Sequence, residues 1–248
     1  MKKTLLFTAV IAAVLTTAIS SAAGLWFQSA GYSCSISSYS CCEPTYYEIG
    51  DPVSLFNGSD LAGWTDKDGN APGDGWVVKD GAIFLEKPGA GDLFTVESYS
   101  NFILEFEFKM EENTNSGLKY RLWNKDGSVL GCEYQIYNRE MNGPDAIHDS
   151  SSLYDVFVPN APEGLLKRDD YNQAKIVVKG RHIEHWLNGV CTVSVLVNSP
   201  EWCQHVAASK FSDDCEFGQY RATPFFLQDH TTQVWFRNIT VRRLTPIM

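Results

Sequence analysis

Phe102-Ile103-Leu104-Glu105-Phe106-Glu107-Phe108-Lys109-Met110 sets apolar against charged residues with a period of two. Successive side chains on an extended strand point to opposite faces. Phe102, Leu104, Phe106 and Phe108 therefore share one face, and Glu105, Glu107 and Lys109 share the other. That is the signature of an antiparallel strand with one dry and one wet side. The same style of short run recurs on either side of it. Trp76-Val77-Val78 and Ala82-Ile83-Phe84 flank Asp80-Gly81, a two-residue hairpin signal. Residues 174–179, 182–187 and 190–197 predict a meander that turns at Lys179-Gly180-Arg181 and Asn188-Gly189, and residues 222–229 and 234–244 predict a closing hairpin. No amphipathic helix is expected beyond a short turn around residues 202–210. Many short strands without intervening helices predict an all-β chain, a β-sandwich whose length favours a jelly roll.

The 248 residues do not all read as this domain. Lys2 and Lys3, the apolar run Leu5 to Leu15 and the small residues Ser20-Ser21-Ala22-Ala23 form an export signal, with cleavage expected near Ala23. Residues 24–50, rich in Ser, Tyr and Cys, read as an irregular tether, which leaves residues 51–246 for one jelly-roll domain. No later segment is apolar enough for a transmembrane span, so a periplasmic or extracellular location, including the cell surface, is expected. The formal charge is −10, and −12 once the two lysines of the signal are removed. That acidity excludes nucleic acid as a partner, because its binding needs clustered Lys and Arg. Of seven cysteines, Cys34, Cys41 and Cys42 fall in the tether; Cys203 and Cys215 flank one loop and are the expected bridge.

Three predicted strands interleave aromatics with forked hydrogen-bonding side chains on one alternating face. These are Lys119, Arg121 and Trp123; Glu133, Gln135 and Tyr137; and Phe226, Gln228 and His230. Ordinary solvent faces are built from Lys, Thr, Ser and Glu. Flat rings beside amides, a guanidinium and a carboxylate suit a polyhydroxylated sugar ring instead. Glu133 and Gln135 lie about 7 Å apart along a strand, roughly one pyranose.

Leu55-Phe56-Asn57-Gly58 with Gly63-Trp64 opens a series of short motifs. It continues through Asn115-Ser116-Gly117, Tyr120-Arg121, Glu133-Tyr134-Gln135, Ser152-Leu153-Tyr154-Asp155 and Glu184-His185-Trp186-Leu187-Asn188-Gly189. Ser209-Lys210-Phe211, Leu227-Gln228-Asp229-His230 and Phe236-Arg237-Asn238-Ile239 complete it. In this order, over residues 53–244, the series resembles the 3-keto-disaccharide hydrolase family, also described as 3-keto-glucoside 1,2-lyases and 3-keto-2-hydroxy-glucal hydratases. The resemblance implies a concanavalin A-like jelly roll. It also implies a 3-keto-glycoside substrate, with an upstream sugar 3-dehydrogenase as the partner that supplies the ketone. The chain departs from the family pattern at Ala222-Thr223-Pro224-Phe225-Phe226 and at Thr231, and Pro224 limits its strand to a start, edge or bulge.

A C3 ketone acidifies the C2 proton. Its removal gives an enolate, and the C1 substituent leaves by β-elimination to a 2-hydroxy-3-keto-glycal, to which water can add. Such chemistry needs a base, a donor at the C3 oxygen and an acid at the leaving oxygen. Glu133 is the expected base, Arg121 the enolate partner and His230 the proton shuttle. Gln135, Gln228, Asn115, Tyr154, Trp123 and His148 are the expected substrate contacts. A divalent metal ion on the enediolate is an open alternative, with Glu133, His148 and His230 as its ligands. His185 alternates with Ile183 and Leu187 and so is expected inside, hydrogen-bonded. Two non-enzymatic readings stand beside the lyase: a lectin-like carbohydrate-binding module and a structural cell-surface domain.

Overall fold

A computed structural model describes residues 46–230 and 232–247. The expected export signal, nearly all of the expected tether, and Cys34, Cys41 and Cys42 lie outside these residues. The strands are β1 (Tyr46–Ile49), β2 (Val53–Ser54), β3 (Trp64–Thr65), β4 (Trp76–Lys79), β5 (Ala82–Leu85), β6 (Leu93–Thr95) and β7 (Phe102–Met110). Then follow β8 (Asn115–Lys125), β9 (Ser128–Tyr137), β10 (Asn172–Lys179), β11 (His182–Leu187), β12 (Val190–Leu196), β13 (Phe226–Leu227) and β14 (Val234–Ile247). A 3-10 turn, Ala146–His148, and one helix, α1 (Pro200–Ala207), complete the described elements.

All pairings are antiparallel and form two sheets. Nine strands run in the order β12-β11-β10-β7-β14-β5-β4, with β1 and β2 also on β14; five run β3-β6-β13-β8-β9. The dry face of β7, Phe102 to Met110 at every second residue, packs into the core between the sheets against Tyr120 and Tyr134 of the smaller sheet. Each such side chain taken from water contributes about 1.5–3 kcal/mol. The expected hairpins form where the turn chemistry demands them. Asp80 and Gly81 have φ of 52° and 72°, and Asn188 and Gly189 have 47° and 84°, the paired left-handed geometry of a two-residue hairpin loop.

Three expectations are corrected. Residues 222–244 are not a hairpin: β13 inserts between β6 and β8 in the smaller sheet, while β14 runs through the larger one. Alternation within each strand was readable, but not which sheet each joins. The short turn expected near residue 202 is a true helix, because the Ser199 side chain accepts from Trp202 N–H at 3.1 Å and Pro200 opens the first turn. Cys203 and Cys215 are not bridged; Cys203 packs from α1 against the core, and Cys215 is exposed.

Candidate active site

The smaller sheet turns one face to the core; the other faces away from it and is itself largely covered, with Phe226, Gln135 and Glu133 all buried. On β9, Cys132, Tyr134 and Ile136 enter the core, so Glu133 and Gln135 take the opposite face. Register then builds a row across four strands on that face: Phe94 pairs with Phe226, Phe226 with Lys119, and Lys119 with Glu133. The Phe94 and Phe226 ring centroids are 4.9 Å apart, and Lys119 Nζ lies 4.9 Å over the Phe226 ring. Lys119 Nζ reaches Glu133 Oε2 at 3.4 Å. Gly117, opposite Gln135, leaves room for this carboxylate: a Cβ there would sit 2.6 Å from Glu133 Oε1.

The Gln135 amide lies between Asn115 and Glu133. In the orientation that satisfies its neighbours, its nitrogen donates to Glu133 Oε1 at 2.9 Å and to the Ser116 carbonyl at 3.2 Å. Gln228 follows β13, its N–H donating to the Gly117 carbonyl at 2.9 Å, and His230 lies exposed beyond it. The free edge of β9 is covered by the segment after the 3-10 turn, where Tyr154 N–H donates to the Glu133 carbonyl at 3.1 Å. Lys210 arrives from the loop after α1, its Nζ 4.0 Å over the Tyr154 ring. Asp155 fixes that loop by accepting from Lys210 N–H at 2.7 Å.

Burial dominates the electrostatics. Glu133 is 6% exposed, and desolvation pushes its pKa up, against the pull of Lys119, Lys210 and His230. Asp92 is raised by the same cause, with Lys119 and His230 again opposing it. Burial lowers the Lys210 ammonium while Glu133 and Asp155 hold it up. Burial raises the Tyr154 phenol, and Glu133 adds to that. One buried carboxylate thus sits among two lysines and an imidazole, with its pKa poised above the ordinary carboxylate range.

The expected site is brought together only in part. Glu133, Gln135, Asn115, Gln228, Tyr154 and His230 gather on or beside this face. Arg121 and Trp123 do not. The β8–β9 register shifts between Tyr120 and Trp123, and Arg121 takes φ 52°. That bulge reverses the alternation: Leu122 joins Phe94 and Phe226 outside, while Arg121 and Trp123 turn inward. Arg121 is 1% exposed and donates to the Gly218 and Gly180 carbonyls. Trp123 Nε1 donates to Asp214 Oδ2 at 2.9 Å. His148 lies behind Tyr154 with both ring nitrogens engaged, by Asp145 at 2.7 Å and Asp155 at 2.9 Å. Glu133, His148 and His230 do not fit a shared metal: no three His, Cys, Asp or Glu side chains among the described residues form a ligand group, and His148 offers no open nitrogen.

Sequence reading gave Lys119 no role of its own and missed Lys210 and Asp92. Alternation had placed Lys119 on the patterned face of its strand, but its register opposite Glu133 comes only from the fold. Lys210 stood in the Ser209-Lys210-Phe211 motif, but nothing local announced that its loop returns to β9. His185 is where alternation put it: fully buried, within 2.8 Å of the Tyr120 hydroxyl and 3.0 Å of the Ser151 carbonyl, its pKa lowered by burial to about 4.

Fold and site define a jelly-roll β-sandwich with an ionisable cluster on the face of its smaller sheet turned away from the core. The chain belongs to the family described as the 3-keto-alpha-glucoside-1,2-lyase-like domain, whose model matches residues 51–242. It is 29% identical over 229 residues to a 3-keto-disaccharide hydrolase of Bacteroides thetaiotaomicron, covering 77% of this chain and 78% of that protein. Two solved structures from Parabacteroides distasonis, provisionally designated glycosyl hydrolases, share the fold. One has a TM-score of 0.69 and 24% identity over 80% of this chain and 94% of its own; the other has 0.59 and 22% over 78% and 99%. Family and relative together support a carbohydrate-hydrolase activity. Among the described residues no helix is long and apolar enough to cross a membrane.

Proposed function

We propose that the chain is an exported enzyme that cleaves glycosidic bonds of 3-keto-glycosides by β-elimination, with water able to add back to the resulting glycal. The observation that carries this reading is the buried Glu133 carboxylate, 3.4 Å from Lys119 on the sheet face turned away from the core. Glu133 removes the C2 proton. Its raised pKa suits a base that must give that proton up again, and desolvation makes it more basic than a carboxylate in water. Lys119 takes the enolate role first expected of Arg121: its ammonium meets the negative charge as it develops on the C3 oxygen. The Phe226 and Phe94 rings pack behind Lys119, Gln135 orients Glu133, and the half-buried Asn115 and Gln228 hold the sugar's hydroxyls. His230, exposed beyond Gln228, protonates the leaving oxygen. Tyr154 and Lys210 wall the far side.

The ketone must be made by another enzyme, a sugar 3-dehydrogenase acting upstream. The test supplies 3-keto-glucosides of both anomers and follows aglycone release together with enone absorbance. Wild-type protein should release aglycone, while Glu133→Gln and His230→Ala, folded normally, should be slowed by at least about a hundredfold. Binding of the keto-sugar without turnover would turn the reading into that of a lectin-like module, and wild-type rates in either variant would remove that residue from the mechanism.

A further inference from the structure

The larger sheet carries a second feature that the elimination chemistry does not use. On its outer face lies an open cleft of about 300 Å³, lined by Glu105, Glu107, Gln173, Lys175, Trp186 and Asn238. Register explains its shape. Lys175 on β10 pairs with Trp186 on β11 and with Glu105 on β7, forming one wall; Gln173 pairs with Glu107 two residues along and begins the other. Backbone of Phe106 and Ala174, whose side chains enter the core, lies between them. Lys175 Nζ stands 3.7 Å over the indole of Trp186, whose Nε1 donates to Glu184 at 2.7 Å, so the ring is held from two sides.

Two breaks in strand register border this one cleft. The β11–β12 pairing slips between His185 and Trp186, and the β14–β7 pairing slips between Arg237 and Thr240, where Asn238 takes φ 52°. Bulges re-aim side chains, and the one on β14 brings Asn238 to the hollow. The extra residue of the β11–β12 slip is the buried Thr192, and β11 keeps Trp186 on the outer face by its own alternation. Formal charge nearly cancels: Glu107 is paired to Arg237 at 2.7 Å, and Lys175 lies opposite Glu105. An aromatic wall, two amides and a carboxylate already paired to Arg237 suit hydroxyl groups rather than a net charge.

We infer that this cleft is a binding site for neutral oligosaccharides, separate from the Glu133 face and on the opposite sheet. It would hold the enzyme on a glycan while the other sheet does chemistry. The experiment titrates the protein with neutral gluco-, galacto-, manno- and xylo-oligosaccharides, following Trp fluorescence and mobility in affinity gels. At least one series should bind; Trp186→Ala should weaken that binding tenfold or more, and Gln173→Ala, an exposed substitution that leaves the fold in place, severalfold. Glu133→Gln should bind as wild type does, which separates this site from the proposed elimination site. Absence of binding to every series, undiminished binding by both cleft variants, or loss of binding in Glu133→Gln would each overturn the inference.

Discussion

β8 and β9 are neighbours in one sheet, paired over most of their length, yet they treat their polar residues in opposite ways. β9 keeps a strict period of two from Cys132 to Tyr137, so Glu133 and Gln135 stay on the face away from the core. β8 breaks its period at Arg121, and the guanidinium crosses inward to tie the smaller sheet to the Gly180 turn of the larger one. The same pattern of forked side chains and aromatics in the sequence thus yields one strand that holds a site and one that holds the sandwich together. Chemistry belongs to the residue that keeps register; architecture belongs to the one that breaks it.

The largest expected effect separates the two directly. Glu133→Gln should lower kcat on the 3-keto-glucoside by about a thousandfold, and unfolding should show no loss of stability at neutral pH. The sign follows from burial. Glu133 has its folded pKa raised, so as pH climbs the unfolded chain gives up its proton first and the folded state is disfavoured. Removing the charge relieves that penalty, and the gain in melting temperature should vanish at pH values below the ordinary carboxylate range. Arg121→Met should do the reverse. Losing two charge-assisted hydrogen bonds to buried carbonyls costs about 3 kcal/mol in denaturant unfolding, with kcat of the folded fraction intact. A large fall in kcat at unchanged stability would return Arg121 to the reaction.

The core faces of both strands meet at His185, through the Tyr120 hydroxyl on one side and the Tyr134 ring, 4.9 Å away, on the other. With Nδ1 donating to a carbonyl, Nε2 accepts from Tyr120, so the buried ring is neutral. Below pH 6.5 the unfolded chain takes up a proton that the folded chain refuses until about 4. The stabilisation is complete above 6.5 and should fall by roughly 3 kcal/mol as pH drops to 4, measured by urea unfolding. His185→Gln should flatten that slope. A slope unchanged in the variant would assign the acid sensitivity to other groups.

Lys119 lies on the face of β8 opposite these core groups. In Lys119→Met, Glu133 loses its nearest cation, so its pKa should rise further and the acid limb of the rate profile should move to higher pH. The plateau rate should fall about a hundredfold through loss of the enolate partner. A fall in rate without movement of the limb would mean that the lysine acts on substrate alone.

What could be read in advance follows the same division. Local rules sufficed for β7, for the Asp80-Gly81 and Asn188-Gly189 hairpins, for the buried His185 and for the Glu133–Gln135 face, since each depends on period two or on a turn's φ preference. The chain's order of short motifs carried the family. What could not be read was long-range: the bulge at Arg121, whose inward turn is stabilised by carbonyls 59 and 97 residues away; the insertion of β13 between β6 and β8; and the return of the Lys210 loop to β9. Alternation assumes an unbroken strand, and a single residue at φ 52° inverts everything after it.

The smallest expected effect tests whether the intact register of β9 is enough without its partner's glycine. Gly117 has no positive φ to require it, so conformational freedom does not explain the residue. Space does: an alanine Cβ would lie 2.6 Å from Glu133 Oε1, 2.9 Å from Cγ and 3.0 Å from Cδ. These atoms belong to a side chain, so the whole Glu133 side chain, Cγ included, must swing aside while the backbone stays in place. Gly117→Ala should therefore leave the melting temperature nearly unchanged and lower kcat about tenfold, because a base displaced from its near-attack position loses rate steeply with distance. KM should move little, since Gln135, Asn115 and Phe226 keep their places. Wild-type kcat in this variant would show that the carboxylate has more room than the packing gives it, and the site would then owe its geometry to Lys119 and Gln135 rather than to the absence of a side chain on β8.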